Sequence, residues 1–493
     1  MSEAAALPAS QELLGPAERL HPLYLLTGLG QTLKGAWGLI AGGAVFAAQG
    51  RWWIVAIMGV LFVVFSIGSL FIRWLKLEYR VGADEIRIDS GWLSRTSRAI
   101  PFDRVTDVDL EQGPLHRLFG LARVKLETGG SGGGKEEEGV LHTIALERAE
   151  ALREHIRARK GLAVLQATEA VEEAPPLYAM DSRRVLTAGL FNFSLAVIAG
   201  LFGVTQTMGD ALGFDPFERQ FWIDLFSRSG PLRDLILSHR IGAAVAGSIL
   251  LILLGVATGL IRTVLREHGF RLDRTEAGFR RRRGLLTLTD VTIPAKRAQA
   301  AILANGPVRR RLGWWELKLQ SLAQDGGKGD HVVAPLARER EAAEVLDSLG
   351  WQVGPPAATW RPVSRGYLTS FVGILLPASL LTVAAIPFLG PVGLLWLAGA
   401  MLAIGMRWLD WKRARYAFDG GTLFVERGWW RHRRNLVPAA KIQSIDLAES
   451  WWGRLFGICT LRLGVAGASG FSDHHVPALT RPQAEALRAE LLT

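Results

Sequence analysis

The sequence predicts a membrane α plus β fold: six transmembrane helices in three hairpins, each hairpin followed by a small β-rich domain with a C-terminal helix. Three observations predict it. First, one ladder of residues recurs three times without a gap: Gly91, Pro101, Arg104, Arg117, Gly120; then Gly284, Pro294, Arg297, Arg310, Gly313; then Gly428, Pro438, Lys441, Arg454, Gly457. Second, a pair of long apolar segments precedes each copy. Third, each copy opens with residues alternating apolar and polar and closes with helical spacing. The repeat is too long for a solenoid unit and suits a module. At 493 residues the chain has room for roughly three or four domains.

In order, residues 1–21 read as a loose tail, acidic and polar at its start. It lacks a basic n-region, so the first apolar stretch is expected to stay in the protein as an anchor. Hairpin 1 occupies 22–75. Its first segment, 25–48, carries Lys34 near one end, where the side chain can snorkel to the headgroups. Glycines from Gly28 to Gly43 give it a small-residue face for helix packing. Its second segment, 54–74, has no charge before Arg73 and is long enough for a hydrocarbon core of about 30 Å. Domain 1 (76–160) follows. Tyr79–Val81, 86–88, 105–110 and 124–126 alternate as half-buried strands do, with Gly91 and Gly120 at turns and Pro101 at an edge or bend. The glycine- and acid-rich stretch 129–139 reads as a hairpin tip, and 147–157 as the closing helix.

A linker (161–182) with Pro175 and Pro176 leads to hairpin 2 (183–265). Its helices are expected at 185–208 and 241–261, joined by the long loop 209–240. Residues 215–226 read either as an interfacial amphipathic turn or as an ordinary packed loop. Asn192 is expected to bond a neighbouring helix. Domain 2 (266–350) has strands expected at 270–272, 278–282, 285–293, 300–303 and 317–322, and a helix at 338–349. A second linker (351–363) precedes hairpin 3 (364–411), whose helices are expected at 366–388 and 391–409. Pro377 and Pro387 should kink or end the first of these. Domain 3 (412–493) closes with a helix at 482–492.

Hydrophobic residues make up 49% of the chain and charged residues 21%, so part of it is membrane and part is not. Mean hydropathy is +0.20. Tryptophan outnumbers tyrosine 17 to 5, and many tryptophans fall near expected membrane ends, where the ring is favoured. The net charge of +11 is read as positive-inside bias facing an anionic leaflet, not as nucleic-acid binding. Arg73, Lys76, Arg80, Arg183, Arg184, Arg262, Arg266, Arg365, Arg407, Lys412, Arg413 and Arg415 all lie on the domain side of the apolar segments. That asymmetry puts both termini and all three domains in the cytoplasm of a multi-pass protein.

The hairpins, the ladder and the closing helices resemble the bacterial membrane proteins with pleckstrin-homology-like (PH-like) domains, in the second bacterial class. The most specific stretch is Ile100-Pro101-Phe102-Asp103-Arg104-Val105 through Arg117-Leu118-Phe119-Gly120. It recurs at Val437-Pro438 and at Arg454-Leu455-Phe456-Gly457. The middle copy keeps the frame but drops the phenylalanine, at Arg311-Leu312-Gly313. The resemblance implies a partly open β-barrel capped by a helix in each domain, a bacterial inner-membrane location and no enzyme.

No catalytic constellation is legible. Asp107 and Asp109, two apart on a strand, suit a solvated sheet face. Asp473, His474 and His475 form the most metal-like cluster, but neighbours on a strand face opposite ways, so this segment supplies at most part of a site. No cofactor or metal is expected. The lone Cys459 sits in an apolar run and is read as a core thiol. P-loop and HExxH motifs are absent.

Basic clusters carry the functional signal. Arg280, Arg281, Arg282 and Arg283, with Arg309, Arg310 and Arg311, mark the middle domain; Arg431, Arg433 and Arg434 mark the last. All are candidates for lipid headgroup or anion binding, each contributing on the order of 1 kcal/mol beside an anionic surface. Arg104, Arg297 and Lys441 share one ladder position and either bind an anion or satisfy a turn's carbonyls. The expected function is that of a non-enzymatic binding or assembly platform for a protein partner or anionic lipid. The expected protein partner is a smaller PH-like membrane protein or another copy of the chain, because open strand edges can be paired by another chain. The alternative is a transporter or transport-accessory role for the six-helix bundle. The near absence of buried acids and bases in the spans weighs against it.

Overall fold

The computed structural model describes residues 15–28, 46, 50–91, 96–128, 139–159, 175–193, 238, 240–276, 278–325, 328–466 and 474–492. These fall into two compact units. One comprises Met1–Glu173, Met180–Phe270 and Arg282–Val291; the other comprises Ala174–Ala179, Arg271–Arg281 and Thr292–Thr493. The middle repeat therefore contributes to both.

In the first unit, β1 (Glu18–Arg19), β2 (Glu78–Val81), β3 (Glu85–Ser90) and β4 (Thr96–Pro101) form one antiparallel sheet in that order. The last residues of the expected tail thus fold, pairing Glu18 with Tyr79 and Arg19 with Glu78. A long apolar helix, α1 (Trp52–Lys76), runs straight into β2. A second group comprises β5 (Val105–Gln112), β6 (Leu121–Thr128) and β7 (Val140–Ala145), with the short helix α2 (Pro114–Leu118) between β5 and β6. Helix α3 (Leu146–Arg159) follows directly. The two groups share one core: Tyr79, Ile86 and Ile100 from the first meet Val108, Val124 and Leu141 from the second and Leu152 and Ile156 from α3. The layout is two half-sheets and a closing helix.

Helices α4 (Ser182–Leu190) and α5 (Arg240–Glu267) lie in the stretch expected to form the second hairpin. They approach closely through glycine. A Cβ on Gly259 would lie 1.5 Å from the Asn192 carbonyl oxygen, and one on Gly189 would lie 2.5 Å from Leu260. Asn192 Nδ2 donates to Thr263 Oγ1 at 2.9 Å, a bond between the end of one helix and the body of the next. Gly247, in contrast, faces open space. Gly259→Ala should therefore lower the thermal midpoint of the purified chain by several degrees, by overpacking a fixed backbone contact, while Gly247→Ala leaves it unchanged or raises it. Equal shifts for the two would contradict this packing.

The second unit holds β8 (Tyr178–Ala179) paired with β9 (Arg271–Thr275) and much of β10 (Gly278–Arg283). After β11 (Leu288–Pro294) come β12 (Ala298–Asn305), α6 (Pro307–Arg311), β13 (Trp315–Asp325), β14 (Lys328–Ala337) and α7 (Glu339–Asp347). The third hairpin is preceded by β15 (Arg361–Pro362). It contains α8 (Gly366–Ala384), the short α9 (Ile386–Leu389) and α10 (Pro391–Arg413). Pro377 is accommodated inside α8. The helix breaks at Ala385, ahead of Pro387, where the ring removes an N–H. The last repeat adds β16 (Arg415–Asp419), β17 (Thr422–Arg427), β18 (His432–Pro438), β19 (Ile442–Ala448), α11 (Trp451–Leu455), β20 (Cys459–Val465), β21 (His474–Leu479) and α12 (Arg481–Leu492). Its core again joins both half-sheets to the closing helix, with Tyr416, Leu423 and Val437 against Leu461, Val476 and Leu487. Cys459 is part of that core.

Among the described residues, α1, α5, α8 and α10 are long and apolar enough to cross a membrane. Most of the expected segments 25–48 and 185–208, the hairpin tip 129–138 and the turn 215–226 lie outside the described residues.

Candidate functional site: the repeat junctions and the foot of a span

The ladder positions do the same local work in each copy. Gly91, Gly284 and Gly428 have φ of 101°, 118° and 92°, and Gly120, Gly313 and Gly457 have 62°, 72° and 64°. L-side chains avoid this left-handed region. Pro101, Pro294 and Pro438 each end a strand, where a missing N–H is harmless. Arg117, Arg310 and Arg454 each fall in the last turn of a five-residue helix.

The ladder also marks where one repeat meets the next. In the second unit the strand order is β14-β13-β12-β18-β17-β16-β15, so the later half of the middle repeat is joined edge to edge with the earlier half of the last. The joining pairs are Ala301 with Leu436, Ile302 with Asn435, Leu303 with Arg434, Ala304 with Arg433 and Asn305 with His432. In the first unit β5 is joined in the same way to residues of β11: Gln112 with Leu288, Glu111 with Thr289 and Leu110 with Asp290. Counted along the ladder, the two registers are identical. Each time, the fourth residue after the first glycine faces the eighth after the ladder cation.

Side chains repeat the pattern. Arg117 Nη1 donates to the Leu285 carbonyl at 2.5 Å, and Arg310 Nη1 to the Trp429 carbonyl at 3.4 Å. Each carbonyl belongs to the residue after the next copy's first glycine. At one strand position the ion pair to the preceding closing helix reverses sign. Asp290 meets Arg153 at 3.2 Å, and Arg434 meets Glu339 at 2.8 Å. The swapped charges disfavour exchange between the two junctions.

The arginine clusters are spread over several environments. Strand alternation along β10 buries Arg281, which donates to the Val332 carbonyl at 3.0 Å, and Arg283, paired with Glu267 at 3.1 Å. Arg280 is half-buried, and Arg282 is exposed with Asp290 at 3.9 Å. In α6, Arg309 and Arg310 are half-buried and Arg311 is exposed. Burial, then the charges of Arg413 and Arg311, pushes the Arg310 pKa down. Arg431 is exposed, Arg433 half-buried, and Arg434 bonded to Glu426 and Glu339. Arg104 is exposed and Arg297 half-buried, while Lys441 Nζ donates to the Lys296 carbonyl at 3.2 Å, in the equivalent turn of the preceding repeat. His474 is buried, its Nε2 2.5 Å from Gln320 Oε1, whereas His475 contacts Arg427 at 2.7 Å; the neighbours do face opposite ways.

The hairpin tips rest on the ends of the spans. Gly284 N–H donates to the His268 carbonyl and Leu285 N–H to that of Leu265, just at and beyond the end of α5. Trp429 N–H donates to Asp410 in the last turn of α10. In α11, Trp452 Nε1 donates to the Ser370 carbonyl in the first turns of α8, leaving Trp451 and Leu455 exposed beside Arg454. At the foot of α5 lies a cavity of about 620 Å³, lined by the apolar Ile261, Leu265 and Leu286 and by Arg262, Arg266 and Arg283. Arg262 and Arg266 were legible in the sequence only as flanking charges. Their convergence with the ladder hairpin depends on tertiary contact.

Long apolar helices that run into half-sheet pairs with a closing helix define a membrane protein with PH-like domains. The chain belongs to the bacterial PH domain family, whose model matches residues 24–160, 228–352 and 371–493. It is similar to UPF0699 transmembrane protein YdbT of Bacillus subtilis (strain 168), with 23% identity over 484 residues, 91% of this chain and 93% of that protein. It is also similar to UPF0699 transmembrane protein YdbS of the same organism, with 36% identity over 91 residues, 17% of this chain and 57% of that protein. No solved structure matches it.

Proposed function

We propose that the chain is a non-enzymatic, multi-pass protein of the bacterial cytoplasmic membrane. Its six spans form three hairpins, and its three PH-like domains are partly open barrels on the cytoplasmic side. They serve as binding and assembly modules for a protein partner or anionic lipid at the inner leaflet. The basic ends of α1 and α10, with Arg73, Lys76, Lys412 and Arg413, support the orientation.

The observation that carries the lipid reading is the cavity at the foot of α5. Its lining joins apolar residues of an apolar span, Ile261 and Leu265, with Leu286 and with three arginines, Arg262, Arg266 and Arg283. That is the chemistry of an anionic lipid: acyl chain against Ile261 and Leu286, headgroup against Arg262 and Arg266. Glu267 pairs with Arg283 at 3.1 Å and with Arg266 at 3.2 Å; Arg283 is buried, so the exposed Arg262 and Arg266 carry the selectivity.

The full chain in nanodiscs of mixed zwitterionic and anionic lipid provides the test. Native mass spectrometry should find anionic lipid retained, and the double variant Arg262→Gln, Arg266→Gln should bind it about 2 kcal/mol more weakly, roughly 30-fold. Equal retention by variant and parent, or no preference for anionic lipid, rejects the lipid half of the proposal.

A further inference from the structure

Two strand edges remain at the ends of the repeat series. Among the described residues β4 pairs only with β3, and β19 only with β20. By ladder position β4 is the counterpart of β11 and β18, and β19 that of β5 and β12. Those four strands are the ones joined at the two internal junctions. The end strands are correspondingly bare. Thr96, Ser97, Arg98 and Ala99 are exposed, whereas Asp290, Val291 and Thr292, at the places of Ser97, Arg98 and Ala99, are buried. Gln443, Ser444 and Asp446 are exposed, whereas Gln299, Ala300 and Ile302 at their places are buried. Arg454 is exposed and makes no side-chain hydrogen bond among the described residues, although Arg117 and Arg310 each reach across a junction.

We infer that β19 of one copy of this chain pairs antiparallel with β4 of a second copy, in the register of the internal junctions. Transferring that register sets Ala448 against Thr96, Leu447 against Ser97, Asp446 against Arg98 and Ile445 against Ala99. Asp446 and Arg98 bring opposite charges directly across the ladder, a favourable cross-strand pair. Pairing would cover both edges, which otherwise expose unmatched backbone groups to any strand. The contact is head to tail, so it propagates into a ring or an open row of copies along the membrane. The inference names the protein partner left open in the proposed function. It rests on that reading only in taking the domains of different copies to share one side of the membrane.

Two differently tagged full-length copies, one carrying Arg98→Cys and the other Asp446→Cys, are co-expressed and oxidised in native membranes. Both sites are exposed, and native Cys459 is buried. A disulfide joining the two tags is expected. Ser97→Cys with Asp446→Cys should give about tenfold less, because a one-residue slip turns the side chain to the other face. A charge reversal gives a second reading without oxidation: Arg98→Glu should reduce tag-to-tag co-purification severalfold, and Asp446→Arg in the other copy should restore it. The absence of any mixed-tag disulfide, a disulfide formed only when both cysteines sit in one chain, or capture of a shorter protein by the Asp446→Cys copy each overturns the inference. Neither residue lines the α5 cavity, so lipid retention measured on the same variants separates failure here from failure of the lipid reading.

Discussion

Gly284→Val and Gly428→Val should each destabilise the full chain by roughly 2–5 kcal/mol, enough to cut its accumulation in the membrane. Two costs combine. A β-branched residue is forced to a φ of 118° or 92°, a region it rarely enters. Its Cβ is also driven against fixed backbone, 1.8 Å from the Thr287 carbonyl oxygen or 2.0 Å from that of Arg431. The tip cannot relax freely, because its N–H groups are bound to the end of a span. Gly457→Ala makes the comparison. It meets only the conformational cost at φ 64°, with open space around its Cβ, and should lose about 1–2 kcal/mol. Thermal unfolding in detergent reads all three. Equal losses across the set would mean that the ladder glycines serve conformation alone and not the close hairpin turn.

The second large effect is expected at Glu426. Only 2% of it is exposed, and it accepts from Arg415 Nε at 2.5 Å and from Arg434 Nε at 2.6 Å. Arg434 in turn binds Glu339 on the preceding repeat's helix, so Glu426 sits under the second junction. Glu426→Ala leaves a largely buried guanidinium short of its main counter-charge, with an expected loss of about 3–5 kcal/mol. Burial opposes the carboxylate's charge, but hydrogen bonds from Arg415 and Arg434 and the Arg434 charge outweigh it and hold the pKa below the ordinary 4.5. A carboxylate with a depressed pKa stabilises the fold above its unfolded value and loses that contribution as pH falls through the folded one. The parent's thermal midpoint should therefore decline on acidification below pH 4.5, and Glu426→Gln should lack that component. Identical acid profiles would show the network to be energetically idle.

The ladder was legible in the sequence because it consists of residues whose constraint is local. Gly284 needs its φ whatever its surroundings, and Pro294 ends a strand in any sheet. The junctions were not, because the alternation of β12 or β18 is the same whichever neighbour it pairs with. Strand β4, Thr-Ser-Arg-Ala-Ile-Pro, has too few apolar residues to declare a period. The two-residue strands β1, β8 and β15 are too short to show one, so the tail and linkers containing them read as unstructured. Of the candidate cations, the alternation along β10 held the signal that separates Arg281 and Arg283 from Arg280 and Arg282. It was obscured because four arginines in a row look alike in charge. Arg262 and Arg266 carried only a topological message until the hairpin tip was seen to close on them.

The most direct test of the account asks where the three domains face. Single cysteines at Thr96, Lys296 and Asp446, one exposed position per repeat, can be probed with a membrane-impermeant thiol reagent in intact and in permeabilised cells. All three should react only after the inner membrane is opened. Labelling of any one of them in intact cells would put that domain on the far side and remove the shared cytoplasmic surface that the proposed lipid and partner binding requires.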